Sequence, residues 1–499
     1  MKQAAFLCPL IRTALLLILM KSAPISSLSE APLVLVVGFD GLRFDFVNEQ
    51  FTPFMAKLQH RGVFAPNGIQ PQMWTTTMGN FMSIATGLHQ ESHGIVGNCM
   101  YDREYNELFD YFGFFNRSTI SKSNSARKLP PLTTDDPKWY SAEPIWQVTG
   151  MNWHLQNPCD GSMRWLGAHV AINGHSLTHC ERSRQDSRLE DWKRDFDKVI
   201  SWFTSTDDPI NLAMIYIPQP DEQEHLYDIH SKEVLEVLHE VDDFVAYMHS
   251  SLEQHGLLGL LDVVLVSDHG HVNVFLDHTM LNVDEVINDH EGAHVLMADQ
   301  SLFPLAGISV DELTNGLRTK YGTRMRVWRR DELPDDYHYK NHRRIGDVLV
   351  EPSLGYFPIA ESMDVFSRIR SRVVGQHGYS KHHPEMRPFL LAFGPSFKVD
   401  FAVAAAVENI DLYPLLCHLL KISPKPNNGS FERISSVLNR TSPTTLQTIL
   451  DQKSMVTTIC FVCVAMVIGA GLVFAVYETL IALQQQQQHG KSRYGLKMQ

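Results

Sequence analysis

Residues 34–40 read VLVVGFD and residues 262–270 read DVVLVSDHG, so two apolar runs each lead to acidic residues at their ends. Runs of β-branched and apolar residues bounded by glycine are typical of strands buried on both faces, as in a parallel sheet between helices. Ligands bind beyond the carboxyl ends of such strands. The two runs therefore predict an α/β fold in which Asp40, Asp268 and His269 lie where a metal or phosphate site would form.

A third apolar run ends in the same way, since residues 212–225 read LAMIYIPQPDEQEH. It places an Asp and a His one helical turn apart after a strand. A further His lies in GQHGYS. The possible metal ligands are thus Asp40, Asp221, His225, Asp268, His269 and His377. Carboxylates and imidazoles without thiolates suit zinc, and six of them could supply two three-ligand sites, each with one open position.

The composition is that of a globular protein with a large core: 499 residues, 44% hydrophobic and 20% charged. Short apolar strands alternate with helical patterns and predict one large α/β domain over residues 29–422. The net charge of -13, without clusters of Lys and Arg, argues against binding to a nucleic-acid duplex. The oligomeric state stays open.

The sequence patterns at the two ends of the chain predict secretion and anchoring in a membrane. Residues 1–28 predict a secretory signal peptide, because basic residues flank an apolar stretch that small residues follow. Residues 454–481 predict a C-terminal transmembrane helix, since 454–477 are uncharged and about 20 helical residues cross a bilayer. Basic residues in the tail 482–499 place it in the cytoplasm, and the polar segment 423–453 predicts a stalk. A single-pass type I protein of the cell membrane, with an extracellular domain, is expected.

An extracellular domain makes the sequons at Asn116, Asn428 and Asn439 candidate glycosylation sites. Cys159 and Cys180 bracket a short polar segment and are the candidates for a disulfide. The partner of Cys99 stays open, and Cys417, within an apolar helical run, is expected to be a buried thiol.

The nucleophile should be a hydroxyl near the metal ions. WTTTMGN, at residues 74–80, offers Thr75, Thr76 and Thr77 before a helical pattern, and these residues alone do not choose among the three. The positive end of a helix favours a phosphate. Two metal ions about 3.5 to 4 Å apart can stabilise both the entering and the leaving oxygen of a displacement at phosphorus. Phosphoryl chemistry is therefore predicted.

The order and wording of FDGLR, TTTMGN, SHGIVGN, the Asp-x-x-x-His after a strand, VSDHG and GQHGY resemble the ectonucleotide pyrophosphatase/phosphodiesterase family of the alkaline phosphatase superfamily. The single C-terminal anchor is similar to that of the short type I members, types four and five. The resemblance implies an alkaline phosphatase-like fold with a central, largely parallel sheet between helices. It also implies hydrolysis of phosphodiester or phosphoanhydride bonds with two zinc ions, releasing nucleoside 5'-monophosphates from nucleotides.

The same resemblance assigns roles to individual residues. One zinc ion would be held by Asp221, His225 and His377, and the other by Asp40, Asp268 and His269 with the oxygen of Thr77. The family spacing selects Thr77 as the nucleophile. Asn98 matches the position that hydrogen-bonds the reacting phosphate oxygen, and Asn80 matches a structural Asn.

The chain departs from the family pattern around the substrate pocket. Met78 stands where members commonly have a Phe that stacks on a nucleotide base, so it is a candidate substrate contact with less area and no ring stacking. Leu166 and His169 replace common pocket residues. Retained chemistry with altered specificity is expected. A phosphodiesterase for choline-containing lipids is therefore an enzymatic alternative, and a non-catalytic surface recognition protein is an alternative of another class.

Overall fold

The computed structural model describes residues 32–113, 133–151, 160–360, 369–403, 406–439, 471 and 473–484. Within these residues the strands are β1 (Leu33–Phe39), β2 (Val63–Phe64), β3 (Cys99–Asp102), β4 (Glu107–Asp110), β5 (Asp160–Met163), β6 (His179–Glu181), β7 (Leu212–Ile217), β8 (Leu261–Ser267), β9 (Val272–Phe275), β10 (Met280–Asn282), β11 (His294–Ala298), β12 (Ser301–Ala306), β13 (Met325–Arg329), β14 (Val348–Pro352), β15 (Phe357–Ile359), β16 (Val373–Gln376), β17 (Leu390–Phe393) and β18 (Phe401–Ala402).

The α-helices of the domain, in chain order, are α1 (Pro53–Gln59), α2 (Thr77–Thr86), α3 (Gln90–His93), α4 (Ile145–Met151), α5 (Leu189–Phe203), α6 (Asp221–Glu224), α7 (Lys232–Gln254), α8 (Asp284–Ile287), α9 (Val310–Tyr321), α10 (Leu412–Leu419) and α11 (Phe431–Ile434).

The central sheet has eight strands in the order β18-β2-β17-β8-β1-β7-β5-β6. β1 pairs in parallel with β7 and β8, so that Phe39 lies opposite Ile217 on one side and Ser267 on the other. β17 runs antiparallel to both β8 and β2. The predicted α/β fold is confirmed, but the sheet is mixed. An apolar run carries no information about strand direction, so the reversal of β17 could not be foreseen.

Alternate residues of β1 pack into two cores, one on each face of the sheet. Val34 and Val36 belong to the core that contains residues of α2 and α10, whereas Leu35 and Val37 belong to the core that contains residues of α5 and α7. All of β1 is buried. This is the environment expected for a strand covered by helices on both faces.

A smaller sheet, β11-β12-β14-β13, is antiparallel throughout. It has a core of its own, which includes Leu302 from β12, Val348 from β14, and Leu313 and Leu317 from α9. In the sequence, this smaller sheet follows β8, which ends just before the predicted ligands Asp268 and His269. It precedes β16, which ends just before His377.

The predicted stalk begins too early. Residues 423–439 include α11, and Ile434 and Val437 are buried in the same core as α2. The backbone N–H of Asn439 donates to the carbonyl of Ser396 at 2.9 Å. The domain therefore extends at least to residue 439, because apolar side chains within a polar segment fix it to the body of the protein.

Several other predictions fall on residues outside the described part of the chain: 1–28, Asn116, Cys159, 454–470 and 485–499. Residues 473–484 are helical. Among the described residues, no helix combines the length and apolar character needed to cross a membrane. Asn428 and Asn439 are exposed, Cys180 lies on β6, and Cys417 is buried as expected.

Candidate active site

The predicted ligands meet at one edge of the central sheet. β1, β7 and β8 are parallel neighbours, so their carboxyl ends point the same way. Asp40 directly follows β1, and Asp268 and His269 directly follow β8. After β7 the chain passes Pro218–Pro220 and begins α6 at Asp221. The backbone N–H of Asp221 donates to the carbonyl of Asp40 at 3.2 Å, which fixes the two strand ends together.

Asp221 is the centre of the first group of possible ligands. Its Oδ1 lies 3.3 Å from Nε2 of His225 and 3.5 Å from Nε2 of His377. It also lies 3.0 Å from Nε2 of His271, a residue outside the predicted set. The ligand atoms of these four residues all lie within 4.8 Å of one another. We call Asp221, His225, His271 and His377 the Asp221 group.

His377 reaches this group from a distant part of the chain. It follows β16, which pairs antiparallel with β9. Its Nδ1 lies 2.7 Å from the carbonyl oxygen of Thr75, so a proton on Nδ1 donates to that oxygen. A histidine held in this way presents its other nitrogen, Nε2, to a metal ion.

The second group, which we call the Thr77 group, consists of Asp40, Asp268, His269 and Thr77. Nε2 of His269 lies 3.0 Å from Oδ2 of Asp268 and 3.6 Å from Oδ1 of Asp40. The hydroxyl of Thr77 lies 3.2 Å from the same nitrogen and 3.5 Å from Oδ1 of Asp40. The two groups are adjacent, because ligand atoms of Asp40, His269 and Asp221 also lie within 4.8 Å of one another.

Neighbouring groups hold the carboxylates in place. The hydroxyl of Tyr216, on β7, donates to Oδ2 of Asp40 at 2.5 Å. The backbone N–H of Gly41 donates to Oδ1 of Asp268 at 3.0 Å. Each carboxylate thus has one oxygen bound by the protein and its other oxygen directed toward His269.

The structure separates the three threonines. Thr75 donates its hydroxyl to the carbonyl of Tyr379 at 3.0 Å, and the hydroxyl of Thr76 makes no hydrogen bond to any described residue. Thr77 is the first residue of α2, and its hydroxyl faces the predicted ligands His269 and Asp40. The N-terminus of α2 adds a positive partial charge where a phosphate would lie.

Asn98 lies next to this helix start. Its Oδ1 accepts a hydrogen bond from the backbone N–H of Met78 at 2.8 Å, which leaves the amide Nδ2 as a donor. The Met78 side chain, which the resemblance makes a candidate substrate contact, is fully buried in the core. Leu166 is also a core residue. Nε2 of His169 lies 3.1 Å from Oδ1 of Asp135.

Asn80 supports the segment before the nucleophile position. Its Oδ1 accepts from the backbone N–H of Gln72, and its Nδ2 donates to the carbonyls of Trp74 and Thr76. The structural role expected for Asn80 is therefore what the hydrogen bonds show.

The electrostatics favour a cation. Burial, followed by the charges of Asp221 and Asp268, raises the pKa of Asp40 well above its ordinary value. Burial also raises the pKa of Asp268, to about 8. Within the described structure, Oδ1 of Asp221, Oδ2 of Asp268 and Nε2 of His271 are buried without a hydrogen bond. Buried carboxylates of this kind are costly unless a cation compensates them, so the two groups fit divalent metal ions.

Sequence reasoning missed His271 and Tyr216. It also missed Glu224, whose Oε2 lies 2.7 Å from Nδ1 of His271. His271 is the residue after DHG, and Glu224 lies between the two predicted ligands of DEQEH. A second His two positions after His269 was the available signal. Tyr216 gave no signal, since a Tyr in an apolar strand reads as a core residue.

The chain is similar to known enzymes in sequence and in fold. The chain matches the sequence model described as type I phosphodiesterase / nucleotide pyrophosphatase over residues 34–380. Ectonucleotide pyrophosphatase/phosphodiesterase family member 5 of Homo sapiens is 30% identical over 416 residues, 82% of this chain and 79% of the relative. Bis(5'-adenosyl)-triphosphatase enpp4 of Mus musculus is 30% identical over 415 residues, 83% of each protein.

Solved structures agree with the sequence matches. Human ectonucleotide pyrophosphatase/phosphodiesterase 5 has a TM-score of 0.70 at 29% identity, covering 81% of this chain and 99% of that chain. The murine protein, an inactive threonine-to-alanine variant in complex with AMP, has a TM-score of 0.68 at 28% identity, covering 82% of this chain and 100% of that chain. The fold is thus the alkaline phosphatase-like α/β fold with a mixed central sheet.

Proposed function

Because the chain belongs to the type I phosphodiesterase / nucleotide pyrophosphatase family, whose members hydrolyse phosphodiester and phosphoanhydride bonds, we propose that it cleaves nucleotides with two zinc ions and a threonine nucleophile. The observation that carries the proposal is the position of Thr77. Its hydroxyl lies at the N-terminus of α2 and within 3.5 Å of both Asp40 and His269. A hydroxyl among possible metal ligands and at a helix start is suited to attack phosphorus.

The Asp221 group and the Thr77 group would each hold one zinc ion. Bound zinc polarises a phosphate oxygen and lowers the pKa of nearby hydroxyl groups and water. The N/O donor set without thiolate, and the buried oxygens of Asp221 and Asp268 that lack hydrogen bonds, support this assignment.

The chain's own residues then perform the displacement. The oxygen of Thr77 forms a bond to phosphorus as the bond from phosphorus to the leaving oxygen breaks, and the Thr77 proton passes to solvent. Water attacks the phosphothreonine, breaks its bond to Thr77 and restores the hydroxyl with a proton. Nδ2 of Asn98 donates to a non-bridging phosphate oxygen, on which charge develops. A nucleotide substrate yields a nucleoside 5'-monophosphate.

Two relatives support a nucleotide as substrate. One of them is named a bis(5'-adenosyl)-triphosphatase. The other was solved as an inactive threonine-to-alanine variant in complex with AMP.

For the location we propose a single-pass type I protein of the cell membrane, with the catalytic domain outside the cell. The signal-peptide pattern at 1–28 and the uncharged stretch at 454–477, within the predicted span 454–481, support this topology. Glycosylation at Asn116, Asn428 and Asn439 and a disulfide between Cys159 and Cys180 belong to the same proposal. Exposure of Asn428 and Asn439 is compatible with it.

The test is hydrolysis of a p-nitrophenyl nucleotide ester by the full-length protein in mild detergent, with and without a chelator. Thr77→Ala should abolish turnover, and Thr76→Ala is the matched control because the Thr76 hydroxyl makes no hydrogen bond within the described structure. Zinc should restore activity after chelation. Equal activity of Thr77→Ala and wild type would exclude Thr77 as the nucleophile.

A dinucleotide polyphosphate and a choline lysophospholipid should be assayed side by side with the ester. Turnover of the lipid alone would assign the lipid alternative. A folded, zinc-loaded protein that cleaves none of these would be the non-catalytic recognition protein.

A further inference from the structure

His271 lies in the turn between β8 and β9, two residues after His269. The turn is tight, because a Cβ atom at Gly270 would lie 2.3 Å from the carbonyl oxygen of Glu385. The backbone N–H of Gly270 donates to the carbonyl of Met386 at 3.1 Å. Glycine at 270 thus lets both flanking histidines turn inward, and both are completely buried.

The imidazole of His271 is placed like those of the two predicted histidine ligands. All three imidazoles direct Nε2 at the same oxygen, Oδ1 of Asp221. The distance is 3.0 Å for His271, 3.3 Å for His225 and 3.5 Å for His377. The ring centroids are 5.3 Å apart for His225 and His271 and 5.1 Å apart for His271 and His377. In a tetrahedral zinc site, bonds of about 2.0 to 2.1 Å place ligand atoms about 3.3 Å apart.

The two ring nitrogens of His271 have different partners. Nδ1 lies 2.7 Å from Oε2 of Glu224, whose side chain is fully buried. Nε2 makes no hydrogen bond to any described residue, although it points at Asp221. A carboxylate behind one ring nitrogen and a free second nitrogen is the arrangement of a metal-bound histidine.

We propose that His271 is a fourth protein ligand of the metal ion in the Asp221 group and that Glu224 orients it. The proposal rests on the proposed function, in that the Asp221 group holds zinc. Four protein ligands fill a tetrahedral zinc site, and a substrate oxygen would enter as a fifth ligand. Because imidazole suits zinc, the Asp221 group, with three imidazoles against one in the Thr77 group, would bind the first zinc ion more tightly.

The test uses the full-length protein loaded with one equivalent of zinc. X-ray absorption at the zinc edge should count three imidazoles in the wild type and two in His271→Ala. Zinc affinity, measured by competition with a chromophoric chelator, should fall about 10- to 100-fold in Glu224→Gln and further in His271→Ala. His93→Ala, which removes a buried histidine outside both groups, should leave the count and the affinity unchanged.

Two imidazoles or fewer in the wild type would overturn the proposal without any variant, so a variant that fails to fold does not leave it untested. A lower zinc affinity in His271→Ala with an unchanged imidazole count would also overturn it, because His271 would then only position Asp221. A wild type that binds no zinc would instead overturn the proposed function.

Discussion

Oδ2 of Asp299 accepts hydrogen bonds from two backbone N–H groups, that of Asn98 at 2.6 Å and that of Cys99 at 3.1 Å. Asp299 lies in the turn between β11 and β12, and its carboxyl group fixes the loop that presents Asn98 to the start of α2. Burial raises the pKa of Asp299 to about 7, against the opposing effect of the two backbone N–H groups. Asp110 is the charged neighbour that raises it further.

The raised pKa predicts a pH dependence of stability. The native state holds a proton on Asp299 that the unfolded chain has already lost above about pH 4. The Asp299 contribution to stability is therefore full below about pH 4 and is lost as the pH rises through about 7. Asn does not titrate, so Asp299→Asn lacks this loss. We expect the melting temperature of the variant minus that of the wild type to rise from pH 5 to pH 8, as measured by thermal melts across that range.

The Asn variant suits this measurement because Asp299 has a φ of 49°, a conformation that Asn adopts readily. Asp400→Asn is the matched control, since Asp400 has a φ of 52° and is exposed. The same difference in both variants would show that the effect does not come from the buried carboxyl.

Asn98→Asp should distinguish the acceptor role of the Asn98 side chain from its proposed donor role toward the phosphate. The variant keeps an acceptor for the N–H of Met78 but replaces the donor with a negative oxygen. Loss of one such donor costs about 100- to 1,000-fold in kcat. Single-turnover kinetics on the nucleotide ester should show that loss with an unchanged melting temperature, and wild-type kcat would remove Asn98 from the chemistry.

Tyr216→Phe should weaken zinc binding. Its hydroxyl donates to Oδ2 of Asp40, and partners of this kind typically contribute about 10- to 100-fold to metal affinity. The measurement is a zinc titration after chelation, with Tyr247→Phe as control because the Tyr247 hydroxyl donates to Asp197, away from both groups. Equal losses in the two variants would contradict a specific role for Tyr216.

Gly38→Ala should destabilise the domain and lower activity together. A Cβ atom at Gly38 on β1 would lie 2.5 Å from Phe81 on α2 and 2.9 Å from Trp165. Overpacking of this kind costs about 1 to 3 kcal/mol, and displacement of α2 also moves Thr77. Gly259→Ala, at an exposed position with no atom within 4 Å of the added carbon, should match wild type in denaturant unfolding.

The sequence alone determined the α/β fold and most of the candidate site. Asp40, Asp221, Asp268 and His269 follow apolar runs, and parallel strands bring their carboxyl ends to one edge. Periodicity and position along a strand are local properties, so they can be read from neighbouring residues. The choice of Thr77 needed the family resemblance, because three adjacent threonines carry the same local signal.

Only the tertiary structure decided which side chains complete and support that site. His271 approaches Asp221 from 50 residues away, and Asp299 binds the backbone of Asn98 from 201 residues away. The reversal of β17, the burial of Met78 and the packing of residues 423–439 are likewise contacts between distant segments. Such contacts depend on how helices and strands pack, and packing direction leaves no trace in the order of neighbouring residues.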